Sequence, residues 1–340
     1  MKPLSLLQAC VVGLLGISIV GCVENPPTSV TNERFTGDVR KVPAPPAAKP
    51  ETIDPELKAR ARKEILTDAR LKDPLIRAHA IEAIRDTGGG SDGAEAVIWA
   101  LNDPEAVVRF SACLAAGELK LESAHRPLLK LLQDPDPSVQ VASRFALHRL
   151  RDKRFSHDLE KFARNPDIAI RGDTAMVLGM LGEPSAMNIL REMQFDKDAS
   201  VRLQAQEAMW RLGSKDAREA LIAATYSHYV DDQAIAYLAL AEPRDPSVLP
   251  YVRPGLSSPF NQIDLIAARA AGMLGSDAGY SLALDATMST DPSQRVLAAF
   301  ALGAIGRSDA QAVLAKLMQD PVIDIRVAAS TALLQLQDGR

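Results

Sequence analysis

The sequence predicts an all-α, right-handed solenoid of about nine two-helix repeats with a 31-residue period. Two features in register predict it. An anchor position recurs through Arg77, Arg109, Gln140, Arg171, Arg202, Gln233, Asp264, Arg295 and Arg326, with a first step of 32 residues and seven further steps of 31. Small side chains stand three positions beyond each anchor (Ala80, Ala112, Ser143, Thr174, Ala205, Ala236, Ala267, Ala298, Ala329). Six positions beyond it stands alanine everywhere except at Val177. A repeat of this length marks stacked supersecondary units, each burying its apolar face against the next.

Each element follows from that register. With the anchor as zero, residues 293–306 (SQRVLAAFALGAIG) carry apolar or small residues at −1, +3, +4, +6, +7 and +10, one face of a helix. Position +11 is Gly88, Gly182, Gly213, Gly275 or Gly306 in five repeats, which supplies a left-handed residue to close that helix. A first helix lies about one turn upstream, as in residues 93–101, 126–132, 217–226 and 310–318. Between the two helices, position −6 is Asp103, Asp134, Asn165, Asp196, Ser227, Ser258, Ser289 or Asp320, side chains that suit a tight turn and a helix start. Gly88-Gly89-Gly90 is an insertion and accounts for the 32-residue step.

Residues 291–306, 320–336, 196–213 and 103–119 (DPSQRVLAAFALGAIG, DPVIDIRVAASTALLQL, DKDASVRLQAQEAMWRLG, DPEAVVRFSACLAAGEL) resemble HEAT repeats. The likeness is closest to the bacterial HEAT-like form of the phycobilisome-lyase type, and it covers residues 55–340. It implies a fold and leaves the function open, because this scaffold serves many roles. Some proteins of the lyase type attach or detach bilin pigments, so a lyase-type enzyme is one alternative. The deoxyhypusine hydroxylases, also built from HEAT-like repeats, bind iron through His-Glu pairs; none of His79, His125, His148, His157 and His228 is followed by Glu.

The N-terminus reads as a separate module. Lys2 precedes an apolar run over residues 4–20, which ends in Ile19-Val20-Gly21-Cys22. This looks like a lipoprotein signal peptide over residues 1–21, with Cys22 as the lipidated residue. Two acyl chains there would anchor the protein stably. Val23 after the cysteine leans toward the outer membrane, facing the periplasm. Residues 22–54, with Pro26, Pro27, Pro43, Pro45, Pro46 and Pro50, read as a disordered tether, and residues 55–340 as the solenoid.

Composition narrows the function. Lys and Arg total 39 against 43 acidic residues, and no stretch joins basic with aromatic residues, so nucleic-acid binding lacks its electrostatic footprint. Lys58, Arg60, Arg62 and Lys63 form the most basic stretch and read as a solvated helix face. Cys113 stands at a small +4 position and reads as a buried structural thiol. Asp134-Pro135-Asp136 and Asp196-Lys197-Asp198 have the D-x-D spacing of a calcium loop without its Gly and Glu, so they read as caps. No catalytic constellation, cofactor site or metal site is expected.

The six anchor arginines, Arg77, Arg109, Arg171, Arg202, Arg295 and Arg326, are expected to build the structural seam, reaching turn carboxylates or carbonyls near Asp198, Asp291 or Asp320. Positions +1, +2, +5 and +9 of the second helix are expected to face a groove. In repeats six to eight these hold Ile235, Leu238, Leu265, Ile266, Met273, Val296, Leu297 and Phe300, large apolar residues that packing does not require. All five tyrosines also fall between 226 and 280. The expected function is therefore a lipid-anchored, non-catalytic scaffold or protein-binding module of the bacterial envelope that takes a protein partner in this groove. A structural spacer in an envelope complex is the other alternative.

Overall fold

The structure is a computed structural model that describes residues 46–47 and 51–339. The expected signal peptide, Cys22 and the tether up to residue 45 lie outside the described residues. Helices alternate in pairs: α1 (Pro55–Asp68) and α2 (Pro74–Thr87), α3 (Gly90–Ala100) and α4 (Ala106–Glu118), α5 (His125–Leu131) and α6 (Pro137–Arg149), α7 (Leu159–Ala163) and α8 (Ile168–Leu181). They continue through α9 (Met187–Met193) and α10 (Ala199–Arg211), α11 (Lys215–Ala224) and α12 (Val230–Ala241), α13 (Leu249–Val252) and α14 (Asn261–Met273), α15 (Tyr280–Ala286) and α16 (Pro292–Ile305), α17 (Gln311–Leu317) and α18 (Ile323–Gln335). The expected all-α solenoid is what the chain forms. Even-numbered helices make an inner layer and odd-numbered helices an outer one.

The register sets every joint. At −6 the side chain accepts the N–H two residues on in each of the eight turns that carry Asp, Asn or Ser there, from Asp103 (Glu105 N, 3.0 Å) to Asp320 (Val322 N, 2.9 Å). At −4, Asp73, Asp136, Asp167, Asp198 and Asp291 cap the inner helix. This explains both D-x-D pairs as construction. At +11 the backbone is left-handed in eight repeats, including the three where no glycine is present: Lys120 (φ 52), Arg151 (φ 68) and Arg244 (φ 56). At +8, Gly179 and Gly303 let the next inner helix approach so closely that a Cβ would stand 2.7 Å from the Cα of Ala208 or Ala332.

The anchor arginines clasp successive repeats. Arg77 grips the carbonyls of Leu71 and Lys72 in its own turn and reaches forward to bind Asp103 of the next repeat through two N–H donors at 2.8 and 2.7 Å. Arg109 binds Asp134, Arg171 binds Asp196 and Arg295 binds Asp320 in the same way. The carboxylate is that of the −6 turn residue; Asp198 and Asp291, expected as partners, instead cap helices. Among the described residues Arg202 donates to the carbonyls of Asp196 and Lys197 alone, because Ser227 stands where the next Asp would be. Gln140 and Gln233 reach the equivalent carbonyls of Asp134 and Ser227 with their amide nitrogens.

The solenoid closes on itself. Helix α18 packs against both α1 and α2, so the ninth repeat adjoins the first. Arg326 completes the clasp series by binding Glu64 on α1 at 2.9 Å, and Asp324 meets His79 at 3.2 Å. Residues expected in the tether take part in the seam. Glu51 N donates to Ser308 Oγ, Ile53 N to Asp338 Oδ1, and Gly339 N to the carbonyl of Glu51. The Ile53 side chain is buried. Arg307, almost wholly buried, donates to the Pro46 carbonyl at 2.8 Å while Asp309 binds its guanidinium and the Tyr280 ring stacks 3.8 Å away. The folded unit thus includes residues ahead of α1: Pro46 meets the loop after α16, and Glu51 and Ile53 cover the residues beyond α18.

Candidate functional site at the ring centre

Closure converts the expected groove into a cavity of about 690 Å³ at the ring centre, to which all nine inner helices contribute lining residues. Two levels of the register form it. At +9 stand Asp86, Glu118, Arg149, Met180, Arg211, Glu242, Met273, Ala304 and Gln335, one from each repeat. At +5 the lining is confined to repeats four to eight: Met176, Glu207, Leu238, Arg269 and Phe300. The +5 residues of the other repeats, Glu82, Leu114, Phe145 and Thr331, are buried between helices. The cavity is thus a full circle at one level and a deeper arc at the other.

Four of the eight residues expected in the groove, Ile235, Leu238, Met273 and Phe300, line this cavity. The other four require correction. Leu265, Ile266, Val296 and Leu297, at +1 and +2, are buried in the core at 7 % exposure or less. The reason is curvature: closing the ring crowds the inner helices, so +2 faces back to the preceding repeat at Ile266 and Leu297, whereas Gln204 and Ile235, at the same position, still reach the cavity. Ser111 Oγ, at +2, donates to Glu82 at +5 of the repeat before it. Met176, Met180 and the Gln335 end of α18 were not singled out from sequence, and Arg269, at a groove-facing +5 position, was left out of the apolar set; carrying the +5 and +9 positions through all nine repeats finds them.

Charge is distributed unevenly around the cavity. Arg211 is shared by Glu207 at 2.9 Å and Glu242 at 3.0 Å. Arg85 pairs with Asp86 at 2.8 Å, and Arg149 lies 3.9 Å from Glu118. Burial pushes the Glu207 carboxyl above its usual range, with Arg211 opposing it. Arg269 is held differently. Its guanidinium lies over the Phe300 ring at 4.8 Å, its Nη1 is buried with no hydrogen-bond partner among the described residues, and burial lowers its pKa against the pull of Glu242 and Asp86.

Other sequence candidates sit apart from this centre. Cys113 is fully buried, and that burial drives its thiol pKa up. His125 and His148 pair with Asp152 and Glu183. No group of His, Cys, Asp or Glu suited to a metal occurs among the described residues, and no helix there is long and apolar enough to cross a membrane. Arg60, Arg62 and Lys63 are exposed on α1. Tyr237 and Tyr280 are buried, whereas Tyr226 and Tyr229 project from the turn side of repeat six with Phe195 and Met288 on repeats five and eight.

A closed ring of repeated helix pairs around one lined cavity is the class of protein this fold and centre define. The HEAT-repeat family model matches residues 62–148, 125–210 and 156–235, together about half of the chain, and the chain belongs to the HEAT-repeat family. No curated protein matches it. Among solved structures, the complex of CpcE and CpcF of phycocyanin lyase from Nostoc sp. PCC7120 is similar at 20% identity and a TM-score of 0.46, covering 70% of this chain and 95% of that one. Human deoxyhypusine hydroxylase in complex with glycerol is similar at 17% identity and a TM-score of 0.38, covering 73% of this chain and 96% of that one.

Proposed function

We propose that the chain is a non-catalytic binding module of the bacterial cell envelope, anchored through a lipid on Cys22, whose protein partner inserts a chain segment into the ring centre. The observation that carries this reading is the cavity lined by all nine repeats. Its volume of about 690 Å³ falls in the range that encloses a small molecule or a few residues of chain, and is too small for a folded domain. The lining mixes apolar side chains with a few oriented polar groups, as binding sites do. Pro46, within the segment expected as tether, lies beside the loop after α16, where its carbonyl accepts from Arg307. That is the +11 end of the inner helices, where the cavity is bordered by Arg244 and Gln337.

A photo-crosslinking residue placed at Leu238 in intact envelopes should capture one polypeptide, and the same residue placed at exposed Trp99 on α3 should not. With the crosslinker kept at Leu238, Met273→Lys with Phe300→Glu should abolish that capture while leaving the helical signal of the purified chain intact. Equal capture from both positions, or none from Leu238, would overturn the reading. Incorporation of labelled palmitate that survives Cys22→Ser would overturn the anchor.

A further inference from the structure

We infer that the cavity receives a carboxylate carried on the end of an apolar chain, the carboxylate pairing with Arg269 and the chain lying against Leu238, Met273 and Phe300. This rests on the reading of the ring centre as a binding site and names the chemistry of its guest. Arg269 carries the argument. It lies at +5, in the deeper arc of the cavity, between Leu238 and Phe300 at the same level of the neighbouring repeats. Its Nη1 is buried and has no acceptor among the described residues.

The carboxylates nearby are already engaged. Glu207 and Glu242 both bind Arg211, and Asp86 binds Arg85. A guanidinium with a buried donor that lacks an acceptor is unfavourable, and the Phe300 ring at 4.8 Å and the field of Glu242 and Asp86 offset only part of that. A planar carboxylate matches the fork of guanidinium donors and can take two of them at once. A phosphate would bring a second negative charge toward Glu207 and Glu242, so a monoanion fits better. The flanking residues set the rest of the guest: leucine, methionine and phenylalanine offer contact area and no hydrogen-bonding groups, and the methionines adapt to irregular shapes.

Such a carboxylate has two sources, the C-terminus of a polypeptide segment or a free fatty acid. The test is a titration of the full chain in detergent with four probes. These are an apolar hexapeptide with a free C-terminus, the same peptide amidated, decanoate, and decanamide. The expected result is that at least one free acid binds, and binds at least tenfold more tightly than its amide. Arg269→Met should remove that tenfold preference while raising the melting temperature of the unliganded protein, since it deletes a buried charge whose Nη1 has no acceptor. A merely structural arginine would give the opposite shift in melting temperature.

Acid and amide binding equally, or neither acid binding, overturns the inference. So does an undiminished preference in Arg269→Met. The outcome also separates this inference from the function it rests on. Binding of both peptides alike would leave the partner-segment reading standing and sink the carboxylate, whereas decanoate alone binding would keep the carboxylate and sink the polypeptide.

Discussion

The arc from repeat eight through nine, one and two to three differs from the arc that runs from repeat five to repeat eight. In the first, each junction carries an arginine bound to a carboxylate of the following repeat: Arg295 to Asp320, Arg326 to Glu64, Arg77 to Asp103 and Arg109 to Asp134. In the second, Arg202, Gln233 and Asp264 face turns whose −6 residues are Ser227, Ser258 and Ser289. The second arc also holds most of the deeper cavity lining and the exposed Phe195, Tyr226, Tyr229, Phe260 and Met288 on its turn side. Its outer layer thins as well: α13 is a single turn between Pro246 and Pro254, followed by a 3-10 segment. The contrast teaches that one part of the ring is clasped to its neighbours, while the part without clasps holds most of the deeper lining and the exposed aromatic residues.

The sharpest way to break this contrast is to remove the anchors one at a time. Arg77→Ala should destabilise by about 3 kcal/mol or more, because it strands Asp103 as a buried charge with no cation. Arg202→Ala removes a donor from two turn carbonyls only and should cost about 1 kcal/mol. Urea denaturation of both variants checks this, and equal losses would erase the distinction. Native-state hydrogen exchange should likewise show α12 and α14 opening at lower free energy than α4 and α18.

Protonation gives a second, smaller lever. Burial raises Asp68, at the junction of repeats nine and one, to about 6, and Asp173, at the junction of repeats three and four where no arginine clasp forms, to about 7. An acid whose folded pKa is raised contributes stability at low pH that is lost as pH climbs through that value. The clasped Asp196, held below its usual range by Arg171, does the reverse, and its contribution is lost as pH falls toward acid. The melting temperature should therefore peak near pH 4 and fall until about pH 7, by an amount equivalent to about 1 to 3 kcal/mol. Asp173→Asn should flatten most of the descent; an unchanged profile would remove Asp173 from the account.

The smallest effect is expected at the left-handed +11 joints. Lys120→Gly and Arg151→Gly should each stabilise by about 0.5 to 1 kcal/mol, since glycine relieves a conformation that side chains resist. A loss in thermal melts would show that these side chains hold contacts worth more than the strain.

Much of the fold was legible because each repeat states its own register. The glycines at +11, the alanines at +3 and +6 and the short polar side chains at −6 fixed every helix pair and identified the arginines as seam. Closure was not legible. Nine repeats meet only if each step turns by about 40°, and that angle comes from side-chain volumes summed over every junction rather than from any one position. The same curvature decided the site. Leu238 and Phe300 at +5, Met273 at +9 and Ile235 at +2 stayed on the cavity, whereas Leu265, Ile266, Val296 and Leu297 at +1 and +2 were drawn into the core. Glu51 and Ile53 were read as tether because nothing local shows that residues near 308 and 338 await them.

An open solenoid can lengthen or shorten by whole repeats, since each unit touches only its neighbours. The meeting of α18 with α1 removes that freedom here. A duplicated or deleted 31-residue unit would leave Arg326 and Glu64 unable to meet, so the number of repeats in the gene is held by the seam. The same meeting reaches into synthesis. The first helix emerges from the ribosome with its partner more than 250 residues away, and must wait, one flank uncovered, until the last repeat is made.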